Sequence, residues 1–169
     1  MAELTPKERL QPALLERLTD DEPDKTRESR EKRVLSLRRL RECVRRDMAW
    51  LLNTTNLAAV EPLDDYPEVA RSVVNYGLPD LTGRTASGVD LPALERTLRQ
   101  AIWEFEPRLL HDSVQVHLRL DESRMDHNAL TFEIKADLWA QPVPLEMLLR
   151  TELELESGEI HVSDRGAPS

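Results

Sequence analysis

The feature that most limits what this chain can fold into is a change of rhythm at Glu106-Pro107. Before it, apolar residues recur at helical spacing; after it, they alternate with polar ones. Proline pushes the preceding residue out of helical geometry, so a helix is expected to end at Glu106. Helices segregated ahead of strands define an α+β fold rather than an alternating α/β one.

Three alternating runs follow the switch. Val114, Val116, Leu118 and Leu120 share one face, with Gln115, His117 and Arg119 opposite. Leu130, Phe132, Ile134, Ala136 and Leu138 repeat the pattern, as do Met147, Leu149, Leu153 and Leu155. The short gaps predict an antiparallel meander of about three strands, its apolar face covered by the N-terminal helices. Glu152, Glu154 and Glu156 make the third run acidic, which reads as a charge-guarded edge. Ser157-Gly158 is a turn, and Glu159 to Val162 is a short further pairing.

Two long helices supply the cover. Leu37, Leu40, Val44, Met48 and Leu51 form one stripe within 34–53, with Ser36 as cap and Trp50 and Cys43 as packing residues. Leu91, Leu94, Leu98, Ile102 and Phe105 form another, opened by the N-cap Asp90 with Pro92 in the first turn. Between them, Pro67, Val69, Val73 and Val74 suggest a short helix over 67–75, closed near Gly77. Leu10, Leu14, Leu15 and Leu18 suit about two helical turns, either gripping another protein or folding back on the domain. Residues 19–33 read as a solvated linker. The expected organisation is a segment 1–33, a domain 34–160 and a tail 161–169.

Charge is unevenly spread. The 169 residues carry a net charge of -9, yet residues 27–46 hold nine basic and three acidic side chains. Overall acidity disfavours general nucleic-acid binding. The basic helix face, with Arg38, Arg39, Arg41, Arg45 and Arg46, points either to solvent or to an acidic or phosphate-bearing partner. One cysteine excludes an internal disulfide. Without an apolar run of ~20 residues or a signal-like N-terminus, a soluble cytoplasmic protein with no direct membrane insertion is expected.

No catalytic constellation emerges. His111, His117, His127 and His161 are scattered, no metal site or cofactor is expected, and the glycines match no phosphate-binding pattern. Glu104 and Glu106 lie too close in sequence to flank a substrate. The Glu106-Pro107-Arg108 corner has two open readings. Arg108 covers the last helix carbonyls and pairs locally with Glu106, or the pair docks a partner through the planar guanidinium fork. In an extended segment both side chains would point the same way.

Several stretches carry a resemblance. They are LLERLTD at 14–20, SLRRLRECVRRDMAWLLNTTNL at 36–57, YPEVARSVVNYGLPDLTG at 66–83, AIWEFEPRL at 101–109, Asn128 to Glu133, and LWAQPVPLEMLLRTELEL at 138–155. The chain resembles the TssE family, small baseplate subunits of bacterial type VI secretion systems. That family is similar to the phage baseplate wedge proteins historically labelled lysozyme-like. The resemblance implies a structural subunit and no enzyme. It implies TssF-like and TssG-like wedge partners, contact with contractile sheath subunits, and no small-molecule or nucleic-acid ligand. It places the protein in the cytoplasm against the inner membrane, through the assembled baseplate. Glu106, Pro107 and Arg108 are the implied contact element for templating sheath polymerisation. Arg38, Arg41 and Arg45 are a second contact face, and an exposed sheet edge offers strand exchange with the sheath. A peptidoglycan hydrolase and a nucleic-acid-binding module on the basic helix are the alternatives.

Overall fold

A computed structural model describes residues 14–19, 24, 37–81, 90–119, 129–139 and 144–166. The expected cap Ser36, the strand residue Leu120, nearly all of the 19–33 linker, and residues 1–13 and 167–169 lie outside the described residues. The helices are α1 (Leu14–Leu18), α2 (Leu37–Leu52), α3 (Pro67–Ala70) and α4 (Leu91–Phe105). The strands are β1 (Gln115–Arg119), β2 (Ala129–Leu138), β3 (Leu145–Glu154) and β4 (Ile160–Asp164).

The α+β class holds, with four antiparallel strands in the order β1-β2-β3-β4 rather than about three. The added strand runs through residues expected as tail. Its inward Ile160 and Val162 continue the alternation, and Asp164 follows on the same face. Phe132 faces Thr151, Ile134 faces Leu149, and Ala136 faces Met147, so one register puts Leu130, Phe132, Ile134, Ala136 and Leu138 of β2 on the same buried face as Met147, Leu149 and Leu153 of β3. Thr151 is the polar exception; its hydroxyl donates to the Phe132 carbonyl, so it is buried with a partner.

Two helices lie on this inner face. Val44, Met48, Leu51 and Leu52 of α2 join Leu94, Leu98 and Ile102 of α4 in one core with the sheet. Asp90 caps α4 by accepting from the Ala93 backbone N–H at 3.0 Å, and a proline occupies the first turn. No described helix is long and apolar enough to cross a membrane.

Several expectations are corrected. The acidic third strand is not an edge: β3 lies between β2 and β4. Its charges face outward, where Arg150 stands opposite Glu133 and Glu152 opposite His161. The true edges are guarded by side chains of the helices and of Asn53, the residue that follows α2. The Asn53 amide donates to the Ile160 carbonyl and accepts its N–H, each at 2.8 Å, standing in for a neighbouring strand. Arg45 covers the Val162 carbonyl, and Glu95 accepts the Leu118 N–H on β1.

The 67–75 stripe also breaks. Only Pro67–Ala70 is α-helical; Val73–Asn75 is a separate 3-10 turn, with Val73 80% exposed. Trp50 and Leu37 are exposed rather than packed. Gly77 has φ +121°, and a Cβ there would lie 2.2 Å from the Thr54 carbonyl oxygen, so the chain crosses α2's exit only as glycine.

Candidate functional site

The corner begins where α4 ends. The Glu106 N–H closes the helix on the Ile102 carbonyl, while φ -123° and ψ 74° take Glu106 out of it. Pro107 and Arg108 then form a turn, with the Leu109 N–H returning to the Glu106 carbonyl at 3.1 Å. The Arg108 carbonyl accepts from Trp139 at 2.7 Å, tying the turn to the end of β2. The segment is therefore a turn and not an extended strand. Glu106 and Arg108 still meet, because the turn wraps one side chain onto the other.

The contact is bidentate. Arg108 Nε donates to Glu106 Oε1 at 2.6 Å and Nη2 to Oε2 at 2.5 Å. Glu106 Oε1 also accepts the Arg108 backbone N–H. Arg108 does not cover helix carbonyls; its other acceptor is Asp47 Oδ2, at 2.6 Å on α2. Arg108 Nη1 is enclosed and has no partner among the described residues. Glu106's carboxylate is 4% exposed, Arg108's side chain is 23% exposed, and Pro107 is open to solvent. Burial works against Arg108's charge. The hydrogen bonds it donates to Glu106, and then to Asp47, outweigh it and raise its pKa further.

Asp47 carries the contact onward. Its Oδ1 accepts from Arg46 Nε at 3.0 Å and Nη2 at 2.8 Å. Arg46 in turn pairs with Glu16 on α1. The result is a chain of alternating charge, Glu16–Arg46–Asp47–Arg108–Glu106, joining three segments distant in sequence. Burial disfavours the Glu16 carboxylate, but hydrogen bonds from Arg46 and from the Cys43 thiol prevail and lower its pKa. Burial, and then the same Glu16 bond, push the Cys43 thiol up to about 11. Tyr76 packs edge-on against Phe105 beside this chain, and Gly77 follows at the glycine-only crossing.

The second predicted face is a different place. Arg38, Arg41 and Arg45 gather around a groove of about 540 Å³ with Leu37, Leu145, Glu42, Glu146 and Asp164. Arg38 is exposed and Arg45 half-buried, but Arg41 is buried. Its Nε and Nη2 bind Asp164 at 2.9 and 2.7 Å, and Nη1 donates to the Glu146 carbonyl at 2.8 Å. The arginine row thus has one member committed to holding β4.

Among the described residues, Glu104 and Glu106 do not flank an open cleft. Glu106 is enclosed by Arg108, and Glu104 accepts from Gln100 one turn away on α4. His111 stacks on Trp103 at 4.0 Å. Among the described residues no cluster of His, Cys, Asp and Glu could hold a metal ion. Sequence reasoning found Glu106 and Arg108 but missed Asp47, Arg46 and Glu16 as their extension. The available signal was weak: Asp47 is one of two acidic residues in the arginine-rich α2.

The fold can now be set beside the family comparison. Residues 38–143 match the model of the family described as baseplate wedge protein gp25, well over half the chain, and the chain belongs to that family. No curated protein and no solved structure matches it. Family membership supports a structural role in a baseplate, in contact with other baseplate proteins.

Proposed function

We propose that this protein is the TssE-type subunit of a type VI secretion baseplate. It joins TssF-like and TssG-like wedge proteins at the cytoplasmic side of the inner membrane and templates sheath polymerisation. The observation that carries the reading is the corner itself, within a wedge-family fold. A buried bidentate pair and two backbone bonds hold the exposed Pro107 and the partly exposed Arg108 in one fixed geometry. Such pre-organisation reduces the entropy lost on docking. Arg38 and Arg45 offer a second, positive surface, backed by Arg41. Strand exchange at β4 would first have to displace Asn53 and Arg45. The reading needs no catalytic residue, cofactor, metal, nucleic acid or membrane insertion.

The test must separate docking from folding, because Arg108→Ala strands the buried Glu106 carboxylate. The informative variant is Glu106→Gln with Arg108→Gln, which removes both charges together. It is expected to fold, by circular dichroism, and to abolish both sheath assembly in cells and co-purification with the wedge proteins. Full-length sheaths in cells carrying that variant would overturn the reading.

A further inference from the structure

Between α2 and α4 the chain forms a lobe, 54–78, that is held by polar bonds rather than by a core. Its base is closed by backbone: the Leu78 N–H donates to the Thr54 carbonyl and the Asn56 N–H to the Leu78 carbonyl, each at 2.8 Å. Asn75 braces the interior, accepting from the Ala58 N–H at 2.9 Å and donating to the Ala70 carbonyl at 2.8 Å. Asn56 and Ser72 cap the 3-10 turns Leu57–Ala59 and Val73–Asn75, which pack on each other. A long connection tied at its ends and braced by its own side chains is the usual form of a functional loop. Its apolar side chains face away from the fold: Val60, Val73 and Val74 are 64% to 80% exposed, and neither these turns nor α3 bury any residue. Exposed apolar side chains gathered on a fixed loop mark an interaction surface. Glu61, Asp64, Asp65 and Glu68 are exposed in the same lobe, against one basic residue, Arg71. Its complement is therefore apolar and basic.

The molecule carries such a complement at the other end of α2. In the groove of about 540 Å³, the exposed Leu37 and half-buried Leu145 supply apolar wall. Two of its carboxylates are already paired, Asp164 with Arg41 and Glu146 with Lys135, each at 2.7 Å. Arg38, Arg45 and Glu42 are left to face a partner, a positive balance. Arg45's bond to the Val162 carbonyl leaves its charge uncompensated. The two surfaces do not meet within one chain. The groove opens where the start of α2 lies beside the start of β3 and the end of β4, and the lobe leaves the far end of a helix about 24 Å long. The lobe packs towards α4, through Tyr76 against Phe105, and none of its residues lines the groove. Unlike but complementary patches at opposite ends of one molecule make a head-to-tail contact, which closes into a ring or continues as a row.

We propose that the valine face of this lobe docks into the Arg38–Arg45 groove of a second copy of this chain, joining copies head to tail. The valines cover Leu37 and Leu145, and the two arginines meet the lobe's carboxylates. The surfaces are small, so the contact is of the weak, exchangeable class and is loosened by salt. It goes beyond the baseplate reading and does not depend on it. Copies held near one another in an assembly would meet at a high effective concentration.

The test is sedimentation equilibrium of the purified full chain from ~10 μM to ~1 mM, at low and at high salt. Self-association with a Kd of about 0.1 mM or tighter is expected, weakening several-fold in high salt. Arg38→Glu with Arg45→Glu and Asp64→Lys with Asp65→Lys should each be monomeric alone, and mixing the two should restore association, because each supplies the surface the other lacks. Val60→Ser with Val73→Ser should keep the wild-type Tm and circular dichroism, since both side chains are exposed, and should weaken self-association at least about tenfold. That variant decides the matter even if a charge variant fails to fold. A wild-type chain monomeric over the whole range overturns the proposal. So does a mixture of folded charge variants that stays monomeric, or a groove variant that associates like wild type, which would mean that lobes meet lobes. A valine variant that associates like wild type but no longer co-purifies with the wedge proteins would assign the lobe to a different protein; it overturns this proposal and leaves the baseplate reading standing.

Discussion

Arg41 and Arg108 are both partly buried arginines in two-pronged contact with a carboxylate, yet they do different work. Arg41 reaches Asp164, 123 positions away, and its third contact is a backbone carbonyl. All its prongs are used, and the pair clamps β4 to α2. Arg108 holds Glu106, two positions away, and opens through Asp47 into a longer chain of charge. One pair closes the fold; the other fixes an exposed turn and leaves it connected to a surface. Chemistry alone does not separate the two arginines. What lies on the far side of the pair does.

The largest expected effect tests the closed pair. Arg41→Ala leaves Asp164 uncompensated beneath the sheet and should cost about 4 kcal/mol in urea unfolding of the isolated chain. The fraction that remains folded should still bind the wedge proteins, and loss of binding in a folded Arg41→Ala protein would erase the distinction. Arg108→Ala should cost slightly less, about 3 kcal/mol, since its side chain keeps some exposure to water. There the loss of assembly should persist when Glu106→Gln restores stability; recovery of assembly would make Arg108 merely structural.

Smaller changes sharpen the contrast. Asp47→Asn cuts the link between Arg46 and Arg108 while leaving each its other carboxylate, so about 1 kcal/mol is expected, read by the same unfolding curves. The smallest effect is on pH. Glu16's folded pKa is depressed below its ordinary 4.5, so its contribution is complete above that value and is lost as pH falls through the folded pKa. Cys43 protection from alkylation, measured after equilibration at a series of acid pH values, should fall over that window. Protection unchanged down to full protonation of Glu16 would show that α1 is held otherwise.

Much of this was legible beforehand. The period-two runs placed the strands because one face of each must be buried, and Asp90-Leu91-Pro92 placed the start of α4 because capping is local. The fourth strand was underestimated, since Ile160–Asp164 offers only two inward apolar residues and its pairing is supplied by β3. The valines at 73 and 74 misled, because helical spacing does not say whether anything lies opposite. Glu106 and Arg108 were found by proximity in sequence. Their partners Asp47, Arg46 and Glu16 were not, because a charge on an amphipathic helix looks the same whether it meets water or another charge.

The sequence by itself settled the class, the buried faces of α4 and of the strands, and the end of α4 at Glu106-Pro107, all of which follow from interactions within a few residues. Only the tertiary structure decided that β3 is interior, that α2's side chains guard the edge of β4, and that one chain of charge runs from α1 to α4. Those outcomes depend on which distant segments come within hydrogen-bonding reach, and packing settles that.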